Sequence, residues 1–176
     1  MQPKSEDFTE SAWSAILYAQ EISKEKKHQN IETEHLLMSL ILSNRLTSEI
    51  IEIADGSLIR IENALKNYLE SGPKLKSIPE TVYIGKDLNK IFDCIKDIKD
   101  SFGDDFISVE HILLGLLQDK RCCQKILECG NLNEIKLLKA IKKIRGNQNV
   151  TDQNPEGKYL SLSKYGIDLT SAAKEG

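Results

Sequence analysis

Two glutamate–histidine pairs, Glu34-His35 and Glu110-His111, are the residues whose types and spacing suggest chemistry. A carboxylate beside an imidazole is able to bind a metal ion or to transfer a proton. Each pair contains one histidine, and no second histidine follows four residues later as in the zinc motif H-E-x-x-H. We therefore expect each glutamate to lie in the first turn of a helix, where a carboxylate meets free N–H groups. We also expect His35 and His111 to form hydrogen bonds that bridge two halves of the molecule.

The two pairs belong to a stretch that occurs twice, at residues 31–41 and again 76 residues later at residues 107–117. Five of the eleven positions are identical, and three more exchange one apolar residue for another. The match continues without a gap to residues 64–66 and 140–142. A repeat of this length predicts a duplicated structural unit.

Apolar residues recur at helical spacing throughout both halves of the chain. The pattern predicts eight helices at about residues 9–26, 33–42, 46–54, 57–70, 86–101, 108–118, 121–129 and 133–145. We therefore predict an all-α fold of two pseudo-twofold four-helix repeats, at about residues 8–70 and 84–146, joined by a proline-containing connection. The composition turns polar at Asn147, which predicts a domain over residues 1–147 followed by an extended or helical linker over residues 148–176.

The charge pattern limits the classes of partner. The net charge of −3 gives no overall field that attracts nucleic acid, so we expect no nucleic-acid partner. The largest basic cluster lies at the end of the last predicted helix, where cations are favourable, and we interpret it as a solvated helix face. Its members are Lys136, Lys139, Lys142, Lys143 and Arg145.

The four cysteines, Cys94, Cys122, Cys123 and Cys129, match neither a zinc spacing nor a secreted disulfide framework. We expect reduced thiols that serve as small apolar side chains. The first residues lack the apolar core of a signal peptide, and no apolar run is long enough to span a membrane. These features predict a cytoplasmic protein with no membrane partner.

The predicted helix at residues 86–101 carries the best binding signal. Its inward stripe is Leu88, Ile91, Phe92 and Ile95, and Cys94 and Ile98 widen that stripe at one edge. Acidic residues run beside it at positions 93, 97, 100, 104 and 105. Two interpretations stay open: a surface for unfolded, basic chain segments, or a broad core stripe beside a solvated acidic face.

The first predicted helix leaves a similar choice open. Trp13 and Leu17 lie away from its alanine stripe, either as an exposed contact patch or beneath Phe8 and the N-terminal arm. Tyr18 and Ile22 precede Cys94 and Ile98 by the repeat offset, which predicts related grooves on the two helices.

Several of these stretches resemble a known family. The duplicated x-E-H-L-L-x-x-L stretch and the opening F-T-E-S-A-W-S-A-I at residues 8–16 resemble the N-terminal domain of Clp ATPases. The tail V-T-D-Q-N-P-E at residues 150–156, with K-Y-G-I-D-L-T at residues 164–170, is similar to ClpB-type AAA+ disaggregases. The resemblance covers essentially the whole chain and identifies it as an N-domain with its linker, ahead of a first ATPase module that this chain lacks.

The resemblance implies a function. An N-domain of this type would bind aggregated or unfolded polypeptides weakly and pass them to a hexameric ring that cooperates with the DnaK chaperone system. ATP and Mg²⁺ would belong to the full-length parent, and this chain would hold no cofactor and would not be an enzyme. Two alternatives remain: a ClpC-like N-domain that docks adaptors for an unfoldase–protease system, and a stand-alone metal-dependent enzyme that uses the Glu–His pairs.

The resemblance also assigns candidate substrate-binding residues. The polar positions fall on Thr9, Asp104 and Glu110, and the groove positions fall on Cys94, Ile98 and His111, with Ile91 in the same stripe. Some family members carry leucine where Cys94 and His111 stand, so this groove is expected to be less apolar. Gly85 stands where the first repeat has Thr9 as a helix cap.

Overall fold

The structure is a computed structural model that describes residues 2–156 and residue 159. Its described part is all-α, as predicted, apart from a short 3-10 helix at Ser5–Asp7 and two short strands, β1 (Asn30–Ile31) and β2 (Tyr83–Ile84). The helices of the first repeat are α1 (Glu10–Glu25), α2 (Thr33–Ser43), α3 (Arg45–Ile53) and α4 (Leu58–Ser71). Those of the second repeat are α5 (Lys86–Ser101), α6 (Val109–Leu116), α7 (Cys123–Cys129) and α8 (Glu134–Arg145).

The helices begin where short polar side chains accept hydrogen bonds from free N–H groups. Thr9 caps α1 through the N–H of Ala12, as the sequence predicts. Ser57 caps α4 and Asn133 caps α8, and these two residues are 76 positions apart. The repeat is therefore visible in the caps as well as in the apolar pattern.

Two short parallel contacts confirm the pseudo-twofold relation of the repeats. Strand β1 pairs with β2 so that Ile31 lies beside Ile84. A separate parallel bridge joins Phe8 to Ile107. Adding the offset of 76 to Phe8 gives Ile84, and adding it to Ile31 gives Ile107. Each half thus offers the same two segments to the other, as a twofold axis requires.

Positive backbone φ angles recur at equivalent positions. Lys27 has φ 60° and Gly103 has φ 70°, and both follow the first helix of their repeat. Asp55 has φ 62° and Asn131 has φ 67°, and both follow the third helix. Glycine adopts this left-handed conformation without steric cost, whereas Lys27 adopts it against a penalty. The duplicated turns therefore keep their shape where their residue types differ.

Helices α2 and α6 form the centre of the core. Residues 33–41 are buried without interruption in α2, and every residue of α6 is buried, which fits their nearly continuous apolar sequence. Helix α1 packs on α2, and α5 packs on α6. Gly115 permits that second contact, because a Cβ atom there would overlap the side chain of Ile95.

The chain beyond α8 turns back onto the domain. We call residues 147–156 the return segment. Val150 in this segment is fully buried, and the N–H of Glu10 donates to the carbonyl of Gln153 at 2.8 Å. The start of the predicted linker is thus packed against α1, while the domain boundary at residue 147 stays a prediction. The further helix predicted near residues 159–170 lies outside the described residues except at Tyr159.

None of the described helices has both the length and the apolar character that crossing a membrane requires.

Candidate functional site

His111 is held in one tautomer at the start of α6. The backbone N–H of Ser108 donates to His111 Nδ1 at 2.9 Å, so this nitrogen is an acceptor and the imidazole takes the place that Glu or Gln has in an ordinary capping box. The proton of the neutral ring therefore lies on Nε2, which donates to Asp104 Oδ2 at 2.7 Å. The helix start itself fixes the direction of this hydrogen bond.

Asp104 organises a buried ionic cluster. Its carboxylate accepts hydrogen bonds from His111, from Arg145 Nη2 at 2.7 and 2.8 Å, and from the N–H of Val150 at 2.9 Å. Burial raises the pKa of this carboxyl, but the donors His111, Arg145 and Val150 outweigh burial and lower the pKa to about 2. Asp104 is thus an anion that joins α6, α8 and the return segment.

The burial of Arg145 contradicts the prediction that the whole basic cluster is a solvated helix face. Lys139, Lys142 and Lys143 are exposed, but Arg145 is only 7% exposed. It follows Ile141 by four residues and lies on the buried face of α8, where Asp104 neutralises its charge. Helical spacing decides its burial, and the partner carboxylate makes that burial possible.

Thr9, Glu110 and Glu156 form a second part of the same interior. Thr9 Oγ1 donates to Glu156 Oε1 at 2.7 Å, and Glu110 Oε1 lies 3.6 Å from Arg145 Nη1. Burial and the charge of Glu110 raise the pKa of Glu156 to about 7, although the hydrogen bond from Thr9 opposes that shift. Within the described residues, both carboxylate oxygens of Glu110 and Glu156 Oε2 lack a hydrogen-bond partner. Fewer polar atoms therefore have hydrogen-bond partners in this interior than in the cluster around Asp104.

Phe102 lies directly over the ionic cluster. Its ring packs edge-on against His111, with centroids 5.2 Å apart, and the guanidinium carbon of Arg145 lies 5.4 Å from its centroid. Cation–π and edge-to-face contacts of this kind fix the ring relative to the polar groups beneath it. The buried cluster thus positions a partly exposed aromatic side chain.

Phe102 also ends an apolar row on α5. Cys94, Ile98 and Phe102 follow one another at four-residue spacing, so they lie on one face, and all three are half-buried. Phe102 then borders a cleft of about 410 Å³ together with Leu138 and Ile141 of α8. The other wall of the cleft consists of residues 145–149. We call the row and the cleft together the apolar groove.

The seven predicted site residues divide into two groups. Cys94 and Ile98 lie on the surface row, whereas the other five are buried: Thr9, Ile91, Asp104, Glu110 and His111. Asp104 and His111 lie beneath Phe102 of the groove, whereas Thr9 and Glu110 lie in the interior around Glu156. The binding role of all seven residues stays a prediction. The sequence reasoning missed Phe102 and Leu138, although Phe102 continues the spacing from Ile98.

Trp13 and Leu17 of α1, which the sequence predicts either as an exposed patch or beneath Phe8, differ in their exposure. Trp13 is half-buried against Phe8, with ring centroids 5.6 Å apart, whereas Leu17 is 48% exposed. Tyr18 is exposed and Ile22 is buried, whereas their equivalents Cys94 and Ile98 are both half-buried, so the two helices do not present matching rows.

The prediction that the histidines bridge the repeats is wrong. His35 Nδ1 accepts from the N–H of Glu32, and His35 Nε2 lies 2.7 Å from His28 Nδ1, so both ring nitrogens bond inside the first repeat. His111 likewise bonds inside the second repeat. Both ring nitrogens of each imidazole are already occupied within one repeat. Polar contacts between the repeats come instead from neighbouring residues such as Glu34, which pairs with Arg121, and Thr33, which donates to Asp119. Glu34 and Glu110 do lie in first helical turns, as predicted.

One group in the described part of the chain has the donor atoms for a metal ion: Asp119, Cys122 and Cys123. The four cysteines carry free thiols, and those of Cys122 and Cys123 are buried. Burial raises the pKa of the Cys123 thiol well above its usual value, which favours the neutral thiol over the thiolate that a metal needs. Asp119 is already engaged by Thr33 Oγ1 and by the N–H of Cys123. We therefore interpret the group as a hydrogen-bonded part of the interior.

Comparison with known proteins gives the family. The family described as "Clp repeat (R) N-terminal domain" matches residues 7–129. The chain therefore belongs to the Clp N-terminal domain family.

Similar relatives and a similar structure agree with this assignment. Over its whole length the chain is 53% identical to "Chaperone protein ClpB" of Prochlorococcus marinus, and over 97% of its length it is 40% identical to "Chaperone protein ClpB2, chloroplastic" of Oryza sativa subsp. japonica. It covers 20% and 18% of these relatives, or about a fifth of their length. The fold is similar to the Hsp104 N-terminal domain from Candida albicans, with a TM-score of 0.74, 21% identity and coverage of 84% of this chain and 97% of that chain.

Proposed function

We propose that this chain is the substrate-engaging N-domain of a ClpB-type ATP-dependent disaggregase and that it binds unfolded or aggregated polypeptides in the apolar groove. The names of the relatives support the class of protein. The observation that carries the proposal is the row of Cys94, Ile98 and Phe102, which stays half-buried and leads into the cleft beside Leu138.

The groove has the physical character that weak, adaptable binding needs. Aliphatic and aromatic side chains stabilise a bound segment by about 25 cal/mol per Å² of apolar area removed from water, without requiring one sequence. Asp97 is exposed next to the row and attracts basic segments, whereas Asp100 is already paired with Lys99. Ordering a flexible client offsets most of the gain, so single-site affinity is low and release is fast.

The parent protein would supply the remaining steps. We infer a cytoplasmic homohexamer that uses ATP and Mg²⁺ in modules outside this chain and cooperates with the DnaK chaperone system. Six tethered copies of the groove would raise the effective affinity for one aggregate through multivalency. The isolated chain would hydrolyse no ATP, and a measurable turnover by it would contradict this division of labour.

The direct test is an NMR titration of the domain with a permanently unfolded protein. Ile98→Asp places a charge in the middle of the row, and we expect it to weaken client binding at least tenfold. Leu17→Asp is the matched control, because Leu17 is an exposed apolar residue of α1 outside the groove. Equal client affinity in the two variants would place the binding site elsewhere.

The ClpC-like alternative shares the fold and differs in its partner. A domain that binds a folded adaptor and leaves unfolded clients unbound would favour it. The metal-dependent alternative requires stoichiometric zinc that is lost in His35→Ala. The geometry does not support that alternative, because the capping and pairing bonds of His35 already occupy both ring nitrogens.

A further inference from the structure

We propose that the return segment is a releasable strap that builds one wall of the apolar groove, so that client binding depends on its docking. The inference rests on the proposed function for the identity of the bound molecule. The docking itself stands on contacts within the chain.

The strap is held by backbone hydrogen bonds at two places. The N–H of Glu10 donates to Gln153 O at 2.8 Å, and the N–H of Asp105 donates to Val150 O at 2.8 Å. Glu10 is the first residue of α1, so its N–H has no acceptor inside the helix. The strap therefore satisfies a helix N-terminus that would otherwise be solvated.

Side chains add to this docking. Val150 is fully buried, and its N–H donates to the Asp104 carboxylate. Gln153 Nε2 donates to Phe8 O at 3.1 Å, and Arg145 Nη2 donates to Gln148 O at 3.1 Å. The same anion that positions Arg145 beneath Phe102 thus also receives the strap.

The strap lines the groove directly. Gly146 and residues 147–149 form the wall of the cleft that faces Phe102 and Leu138. Gly146 has φ 61°, and no atom lies within 4 Å of the place that a Cβ would occupy, so the chain leaves α8 through an unobstructed left-handed turn. Rotation at this residue would carry the wall away and leave Phe102 and Leu138 on an open surface.

The far end of the strap carries a buried carboxyl group, that of Glu156. Glu156 is buried beside Thr9 of α1 and Glu110 of α6, with Arg145 of α8 and Tyr159 in the same interior. The pKa of Glu156 is raised to about 7 by burial, so its docking is favourable below pH 4.5 and weakens as the pH rises through 7. Ionisation of Glu156 above neutral pH therefore opposes docking at this end of the strap.

Amide hydrogen exchange in the full chain, corrected for intrinsic rates, measures docking separately from binding. Glu10 and Asp105 report the strap, and Gly85 is the control because its N–H donates to Ile31 O in the pseudo-equivalent contact between the repeats. We expect Val150→Asp to lower protection of Glu10 and Asp105 at least tenfold, to leave Gly85 unchanged, and to weaken client binding at least fivefold. Glu156→Gln, which keeps the shape without the charge, should retain both protection and binding at pH 8.

Other outcomes identify what has failed. Loss of strap protection with unchanged client affinity would overturn the coupling, and unchanged protection in Val150→Asp would overturn the docking. If Val150→Asp also lowers protection of Gly85, Gln153→Ala replaces it, because it removes only the side-chain bonds to Phe8 and Ser5; a smaller loss of strap protection and of binding is then expected. Failure of the wild-type chain to bind any unfolded client would refute the proposed function, while the exchange data would still report the strap.

Discussion

The two repeats contain the same histidine site with one partner changed. His35 and His111 both accept a backbone N–H at Nδ1, and the Nε2 of each lies 2.7 Å from the side chain seven residues earlier. That partner is His28 in the first repeat and Asp104 in the second, again 76 positions apart. The geometry of the cap is therefore duplicated, while the charge of its partner is not.

The contacts around the histidine differ between the two repeats together with this partner. Asp104 attracts Arg145 and the return segment, whereas the residue equivalent to Arg145 in the first repeat is Leu69. In the first repeat, burial and then the neighbours His28 and Arg121 lower the pKa of His35 to about 3. Two differences within the duplicated frame, His28 against Asp104 and Leu69 against Arg145, thus separate a pair of imidazoles from an ionic cluster.

The clefts next to the two sites are similar in size and in the mixture of side chains that line them. Each repeat has a cleft between its last helix and the segment that follows, with a volume of about 450 Å³ in the first repeat and about 410 Å³ in the second. Leu69, Leu75 and Arg121 are among the residues that line the first, and Phe102, Leu138 and Arg145 are among those that line the second. The second repeat is the better candidate for binding apolar client segments because Cys94, Ile98 and Phe102 form a half-buried apolar row beside its cleft, whereas the equivalent residues of the first repeat are Tyr18, Ile22 and Lys26.

The largest expected effect comes from removing the anion of the second site. Asp104→Ala leaves the buried guanidinium of Arg145 and the N–H groups of His111 and Val150 without their acceptor. We expect the free energy of unfolding in urea to fall by about 3–5 kcal/mol. The equivalent His28→Ala should cost about 1 kcal/mol or less, because His28 is half-buried and water replaces it as acceptor.

Equal losses in these two variants would mean that the charge of Asp104 adds nothing to the shared geometry. Binding assays on Asp104 variants also need the folded fraction measured beside them. A destabilised domain and a damaged groove both reduce client binding, and only the second leaves the folded fraction unchanged.

The sequence predicted the duplicated parts better than the parts where the repeats diverge. Caps, helix spacing and the repeat offset are local signals, and they located α5 and the start of α1 correctly. The ionic cluster was missed because Asp104, Arg145 and Val150 are far apart in sequence, and a basic residue near a helix end equally fits a solvated face. His28 was missed as a partner because its seven-residue separation from His35 spans a turn and a short strand.

A medium effect is expected when the second site is converted towards the first. Asp104→His and Arg145→Leu each remove one partner of a buried ion pair, but the double variant replaces the pair with the residue types of the first repeat. Contacting residues couple by about 0.5–3 kcal/mol. We expect the double variant to be about 2 kcal/mol more stable than the sum of the single losses predicts, as measured by urea unfolding.

Additive losses in that cycle would show that Asp104 and Arg145 act independently. Their two hydrogen bonds would then be a consequence of the packing of α8 and would not stabilise it. A cycle on the surface pair Lys66 and Glu62, which are 3.0 Å apart on α4, serves as the comparison and should give a coupling of about 0.3–0.5 kcal/mol.

The smallest effect is the pH response of the first site. His35 Nδ1 already accepts a backbone N–H, so the folded state resists protonation, and the pKa of about 3 lies below the unfolded value of 6.5. Between pH 6.5 and pH 3 the unfolded chain binds more protons, so this contribution to stability is complete above pH 6.5 and is lost as the pH falls.

His35→Gln keeps a capping acceptor without a titrating ring. Because the raised pKa of Glu156 works in the opposite direction, both chains are compared in a Glu156→Gln background. From pH 6 to pH 5 we expect the His35 chain to lose about 1 kcal/mol more than the Gln variant in urea unfolding, and parallel slopes would show that His35 is protonated without cost in the folded state.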